Sequence, residues 1–275
     1  MKERIIFGAV GAVLAVLAFL YASSNLVFAL VAIIALMALT EFLKAVSILN
    51  TSKLSLNILT YLSAIAILAV MYLNSGHIDN YGLLIPVISI HIILSFIIMV
   101  TNHSSITFID VAVSIVGNIY ITVSLVHIYL IRLLPDGKMY LWLPFIIAWS
   151  TDTFAYFTGV FLGKHKLIPS VSPKKTIEGA IGGTLGAVVI VAVYQLICSK
   201  IAYVEPDYLM GVVISLVCSV ASQFGDLAAS CIKREHGIKD FGSIMPGHGG
   251  VMDRFDSVIF ISPLVYIFVY YIGIF

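Results

Sequence analysis

The chain has 275 residues, 61% of them hydrophobic and 11% charged, with a formal net charge of +1 and a mean hydropathy of +1.09. Soluble domains carry about 25% charged residues, so this composition excludes an ordinary water-soluble globule and requires lipid as the main solvent. The near-zero net charge supplies no field for nucleic acid, and no nucleic-acid partner is expected.

Apolar runs and their polar breaks predict nine membrane spans in chain order: 4–22, 25–49, 56–74, 83–100, 106–134, 139–163, 176–198, 208–233 and 255–275. Each run approaches or exceeds the roughly 20 residues that cross a bilayer as a helix. Lys2 and Arg4 ahead of the first run imitate a secretory leader, but the runs that follow favour a retained first span. Ser23, Ser24 and Asn25 predict a tight hairpin between the first two spans. The fifth run exceeds the usual length, so trimming or tilt is expected there. The chain therefore reads as one all-α polytopic domain, with apolar N-terminal helices over 1–135 and the chemistry carried by helices and loops over 136–275. Cys198, Cys218 and Cys231 lie in apolar surroundings without metal-ligand spacing and read as small hydrophobes.

Charge asymmetry orients the spans. With the N-terminus in the cytoplasm, 12 of the 15 basic residues fall on the cytoplasmic side, leaving only Arg132, Lys138 and Lys200 opposite. A C-terminus outside follows from an odd number of spans. Two cytoplasmic connections stand out: 163–175, GKHKLIPSVSPKK, and 233–254, KREHGIKDFGSIMPGHGGVMDR.

The eighth span ends in ASQFGDLAASCIKR, where Asp226, Ser230 and Lys233 share one helical face. A carboxylate within an apolar span is costly against lipid and must face a partner in the protein interior. Asp226 is thus either an intramembrane pairing residue or a metal or substrate ligand. The loop that follows carries five glycines among Lys233, Arg234, Lys239, Asp240, Asp253, Arg254 and Asp256. Glycines let backbone N–H groups approach an anion, and mixed charges around them suit phosphate together with a hard cation. A flexible solvated loop has similar composition, but here the charges sit at both lips. Asp253 and Asp256 are three apart at the start of the last span. Helix capping accounts for one of them, Asp256 being the expected cap. Asp152, in WSTDTFAYFTG of the sixth span, is again an acid in an apolar run, suited to packing or to substrate. Nearby SPKKTIEG offers Ser172, Lys174, Lys175, Thr176 and Glu178, groups that bind phosphate or simply anchor the chain to anionic lipid. Gly179, Gly182, Gly183 and Gly186, with Gly159 and Gly163, read as close helix packing within one chain or between two. His248 is the one histidine of the PGHGG stretch, suited to a turn or to substrate contact.

Residues 230–256, SCIKREHGIKDFGSIMPGHGGVMDRFD, resemble the signature of phosphatidate cytidylyltransferases. The match holds at Ser230, Lys233, Arg234, Lys239, Asp240, Gly242, Pro246, His248, Gly249, Gly250, Asp253, Arg254 and Asp256. Met245 departs from the usual Leu, Ile or Phe, a soft apolar exchange. FGDLAAS (224–230), SPKKTIEG (172–179) and WSTDTFAYFTG (149–159) resemble corresponding stretches of that family. The resemblance implies a nine-helix dimeric membrane fold with a cytoplasm-facing polar cavity, in a bacterial inner or plasma membrane. It also implies Mg²⁺ dependence and metal-binding roles for Asp226 and Asp253. The implied reaction joins CTP to phosphatidic acid and releases pyrophosphate. In that reading Lys233, Arg234, Lys239, Asp240 and Arg254 act on the phosphates, with Asp256 a further metal candidate. Asp152, Ser172, Lys174, Lys175, Thr176, Glu178, Ser230, His248, Gly249 and Gly250 contact substrate. A secondary transporter would be expected to show internal repeats, and none is seen. A CDP-alcohol phosphatidyltransferase would need a DG-x2-AR pattern, which the chain lacks.

Overall fold

Helices dominate the described residues because apolar segments must satisfy their own backbone groups in lipid. The computed structural model describes residues 23–46, 49–74, 82–244 and 249–274. In chain order the helices are α1 (Ser24–Ala45), α2 (Leu54–Leu73), α3 (Leu84–Thr101), α4 (Phe108–Gly117), α5 (Ser124–Leu133), α6 (Gly137–Tyr140), α7 (Leu143–Leu162), α8 (Ile177–Ala202), α9 (Tyr208–Glu235) and α10 (Met252–Tyr271). Eight of the nine expected spans coincide with these helices, and the first, 4–22, lies outside the described residues. Among the described residues, seven helical segments are long and apolar enough to cross a membrane. The last expected span begins at Met252 rather than 255.

Two compact units form, one from residues up to Leu133 together with His236–Arg254, the other from Leu134–Glu235 with Phe255–Phe275. In the first unit, Ser23 caps α1 by accepting from the Leu26 amide, and Phe28 packs on Tyr72 and Tyr129 at 4.6 and 5.0 Å between ring centroids. The over-long fifth run is one continuous rod made of α4, a π-helical stretch over Asn118–Val123, and α5. The widened turn falls where polar side chains meet. Thr60 Oγ1 lies 2.6 Å from Ser114 Oγ, His91 Nε2 lies 3.0 Å from the same oxygen, and Asn118 Nδ2 donates to the Thr60 carbonyl at 3.0 Å. All four side chains are buried, so each finds its partner inside the protein as lipid demands. At the start of α4, Thr107 and Asp110 form a capping box, and Lys53 Nζ donates to Asp110 Oδ1 at 2.7 Å.

In the second unit α7 lies along α8 at glycine-limited range. A Cβ on Gly182 would stand 2.3 Å from Thr158 Oγ1, and one on Gly186 would stand 2.2 Å from the Phe154 ring. The stripe thus packs two helices of the same chain. Between them, residues that the sequence presents only as a basic connection form an antiparallel hairpin of β1 (Lys166–Ile168) and β2 (Ser172–Thr176). At the far end of α8, buried Gln195 donates to the carbonyls of Asp207 and Ile274 at 2.9 and 3.1 Å.

Candidate active site

The cation-bearing strand is placed by its two ends. Thr176 caps α8 by accepting from the Gly179 amide at 3.1 Å, as its β-region backbone and hydroxyl suit. Glu178, in the first turn, reaches back to accept from the Lys164 and His165 amides at 3.1 and 3.2 Å and pairs with His165 Nδ1 at 2.6 Å. One acid thereby closes the base of the hairpin. Lys174 and Lys175 of the same strand are held where α7 supplies Asp152 and α9 supplies Asp226.

There they line a cavity of about 560 Å³, bounded also by Asp152, Lys166, Thr176, Gln223 and Asp226, with Tyr156 and Val160 as an apolar wall. Lys175 Nζ pairs with Asp226 Oδ2. The charge of Asp226 also acts on Asp152 and on Asp256, and that of Lys233 acts on Asp256. Gln223 is fixed by donating to the Ala180 carbonyl and Thr184 Oγ1, at 3.2 and 3.0 Å. A pocket with three lysines, two carboxylates and one apolar side suits a polyphosphate attached to a less polar group.

Sequence expectation and structure part company at several residues. Asp152, Lys174, Lys175, Thr176 and Asp226 line one cavity. Glu178 and Ser172 do not line the cavity; Glu178 is spent on the hairpin, and Ser172 opens β2. Ser230 lies one turn beyond Asp226 on α9, outside the cavity wall, with Lys233 buried and Arg234 exposed beyond it. Lys239, Asp240, Gly249, Gly250, Asp253 and Arg254 belong to the first unit, and His248 falls outside the described residues. Asp256 is not a cap. Because α10 starts at Met252, the first-turn acid is Asp253, whose Oδ2 accepts from the Gly250 and Phe241 amides at 3.0 and 2.8 Å. Gly249 has φ +80° and leaves no room for a Cβ beside that carboxylate.

Three residues were missed. Lys166 and Gln223 line the cavity but sit among residues with no distinctive spacing. Glu41, 4% exposed on α1, accepts from the Met252 amide at 2.8 Å. It is an acid in an apolar run, the same signal that marks Asp152 and Asp226.

The donor set fits Mg²⁺, which takes one or two carboxylates and completes its octahedron with water and substrate phosphates. Among the described residues no three His, Cys, Asp or Glu side chains are grouped to hold an ion unaided.

A model of the cytidylyltransferase family matches residues 2–272. The chain belongs to this family. Curated family members named phosphatidate cytidylyltransferase include one from Bacillus subtilis, 39% identical over 183 residues, covering 66% of each chain. Another, from Staphylococcus haemolyticus, is 36% identical over 213 residues, covering 74% of this chain and 76% of that one. A third, from Staphylococcus aureus, is 40% identical over 184 residues, covering 63% and 64%. For the Bacillus and S. aureus members the matched region thus spans just under two thirds of the relative's length. Family membership, the helical membrane fold and bacterial relatives together make this a bacterial-type integral membrane protein.

Proposed function

We propose that the chain transfers the CMP moiety of CTP to phosphatidic acid, forming CDP-diacylglycerol and pyrophosphate in phospholipid synthesis. The observation that carries this reading is the Lys175–Asp226 pair in a cavity with Lys166, Lys174 and Asp152, within a cytidylyltransferase-family chain. A phosphate oxygen of phosphatidic acid attacks the α-phosphorus of CTP. The bond from that phosphorus to the oxygen bridging to the β-phosphate breaks, and pyrophosphate leaves with the electron pair. The nucleophile is already anionic, so no protein nucleophile is needed, and positioning with charge neutralisation suffices.

Lys166, Lys174 and Lys175 hold phosphate oxygens. Arriving polyphosphate competes with Asp226 for Lys175 and frees the carboxylate for a divalent cation. Mg²⁺ supplies charge neutralisation at the phosphates. Asp226 and Asp253 are proposed to hold it on the family resemblance, with Asp256 a further candidate. Lys233, Arg234, Lys239 and Arg254 are proposed to neutralise phosphate charge, and the cavity is proposed to open to the cytoplasm, as the 12-to-3 distribution of basic residues supports. A homodimer is proposed from the same resemblance, to be tested by mass measurement in detergent.

The test is incubation of purified protein with labelled CTP, phosphatidic acid and Mg²⁺, with EDTA and Asp226→Asn as controls. Mg²⁺-dependent label in the lipid phase, lost in the variant, supports the reading. Folded protein that labels no lipid and binds no CTP refutes it.

A further inference from the structure

Glu41 is a buried acid in a membrane helix that the reaction does not use directly, and its surroundings are unusual. Its Oε2 accepts from the amide of Met252, the first residue of α10. Its carboxyl group also lies close against two glycines of the signature loop. A Cβ on Gly242 would stand 2.3 Å from Oε1, and one on Gly250 would stand 2.3 Å from Oε2. Neither glycine has positive φ, so close approach rather than backbone freedom accounts for them. Gly250 in turn donates its amide to Asp253 Oδ2, which also accepts from Phe241. Two carboxylates therefore close the neck of the loop. Glu41 does so from α1, Asp253 from within, and Gly250 touches both.

We infer that Glu41 is a positioning residue that acts through Gly242, Gly250 and the Met252 amide to set where Asp253 stands. The inference deepens the reaction proposed above and rests on it. A carboxylate suits the task because the start of a helix favours negative charge and charge-assisted hydrogen bonds are strong where water is excluded. Glutamine would keep the shape but bring two donors toward a neck already furnished with backbone donors. Aspartate would keep the charge but fall short by one methylene.

The experiment pairs steady-state kinetics with hydrogen–deuterium exchange on wild type, Glu41→Gln, Gly242→Ala and the double variant Gly242→Ala/Glu41→Asp, all in detergent. Glu41→Gln and Gly242→Ala are each expected to lower kcat about tenfold or more, with KM for CTP changed far less, as loss of one charge-assisted contact at a remote brace implies. Exchange over 236–254 should quicken in both. The shorter acid should make room for the added methyl and restore part of kcat. Wild-type kcat in Glu41→Gln, or no recovery in the double variant, overturns the inference. If Glu41→Gln does not fold, the Gly242→Ala pair decides. If wild type labels no lipid, the reaction assignment fails separately and exchange over 236–254 becomes the readout. Faster exchange in Glu41→Gln then keeps the loop-setting role, and unchanged exchange removes it.

Discussion

Lys175 and Asp226, 51 positions apart, meet as an ion pair across the cavity of the second unit. The side chains are 30% and 26% exposed, so the pair is open to exchange with an incoming polyanion rather than locked in the interior. Lys175→Met and Asp226→Asn are each expected to cut kcat/KM for CTP about 100-fold or more, the scale of losing one group aimed at developing charge. Lipid labelling measures it. Near-wild-type turnover in either variant would remove the pair from the reaction.

Glu178→Ala should loosen the hairpin without touching the cavity wall. The expected result is a several-fold rise in KM for CTP with kcat reduced less than in Lys175→Met. Proteolytic nicking within 164–175 should become faster. A variant as inactive as Lys175→Met would mean that Glu178 contacts substrate after all.

Gly186→Ala tests the α7–α8 contact. Its methyl meets the Phe154 ring, so overpacking of about 1–3 kcal/mol and a lower Tm are expected. Val189→Leu, on the exposed side of α8, is the control and should leave Tm unchanged. Equal behaviour of the two variants contradicts the close packing.

Lys53→Met removes the cation from Asp110, which stays in the capping box. Breaking a fully buried pair costs roughly 3–5 kcal/mol, and partial exposure of Lys53 lowers the expectation to about 2 kcal/mol. Lys53→Met/Asp110→Asn should recover part of the loss in a thermal melt, because no charge is then left without its partner. A double variant less stable than Lys53→Met argues against the pairing.

Span positions were legible because lipid imposes a single requirement, a long apolar run, that composition meets openly. Asp152 and Asp226 were legible for the opposite reason, since an acid is conspicuous where charge is costly. The same logic applies to Glu41, but its loop follows about 200 residues later, so nothing beside it in the sequence signals what it meets. The Lys175–Asp226 pair depends on how α7, α8 and α9 pack, which periodicity does not encode. The hairpin was missed because SPKKT has little strand propensity; its strands are held by the Glu178 clamp and the Thr176 cap rather than by preference. The start of α10 was misplaced because its first turn is charged, and a hydrophobic run begins only after Asp256.

The glycine seam between α7 and α8 has a mechanical meaning. With little but backbone between them over two turns, the helices cannot slip by a residue without driving Thr158 or Phe154 into the opposite main chain. They behave as a ruled plate on which Asp152 is one fixed mark and the root of the hairpin, Thr176, another. Residues 164–175 then become an interchangeable head on a rigid handle. If the proposed reaction holds, a differently charged hairpin grafted between Gly163 and Thr176 is expected to change the cavity's charge while leaving the spacing of α7 and α8 unaltered.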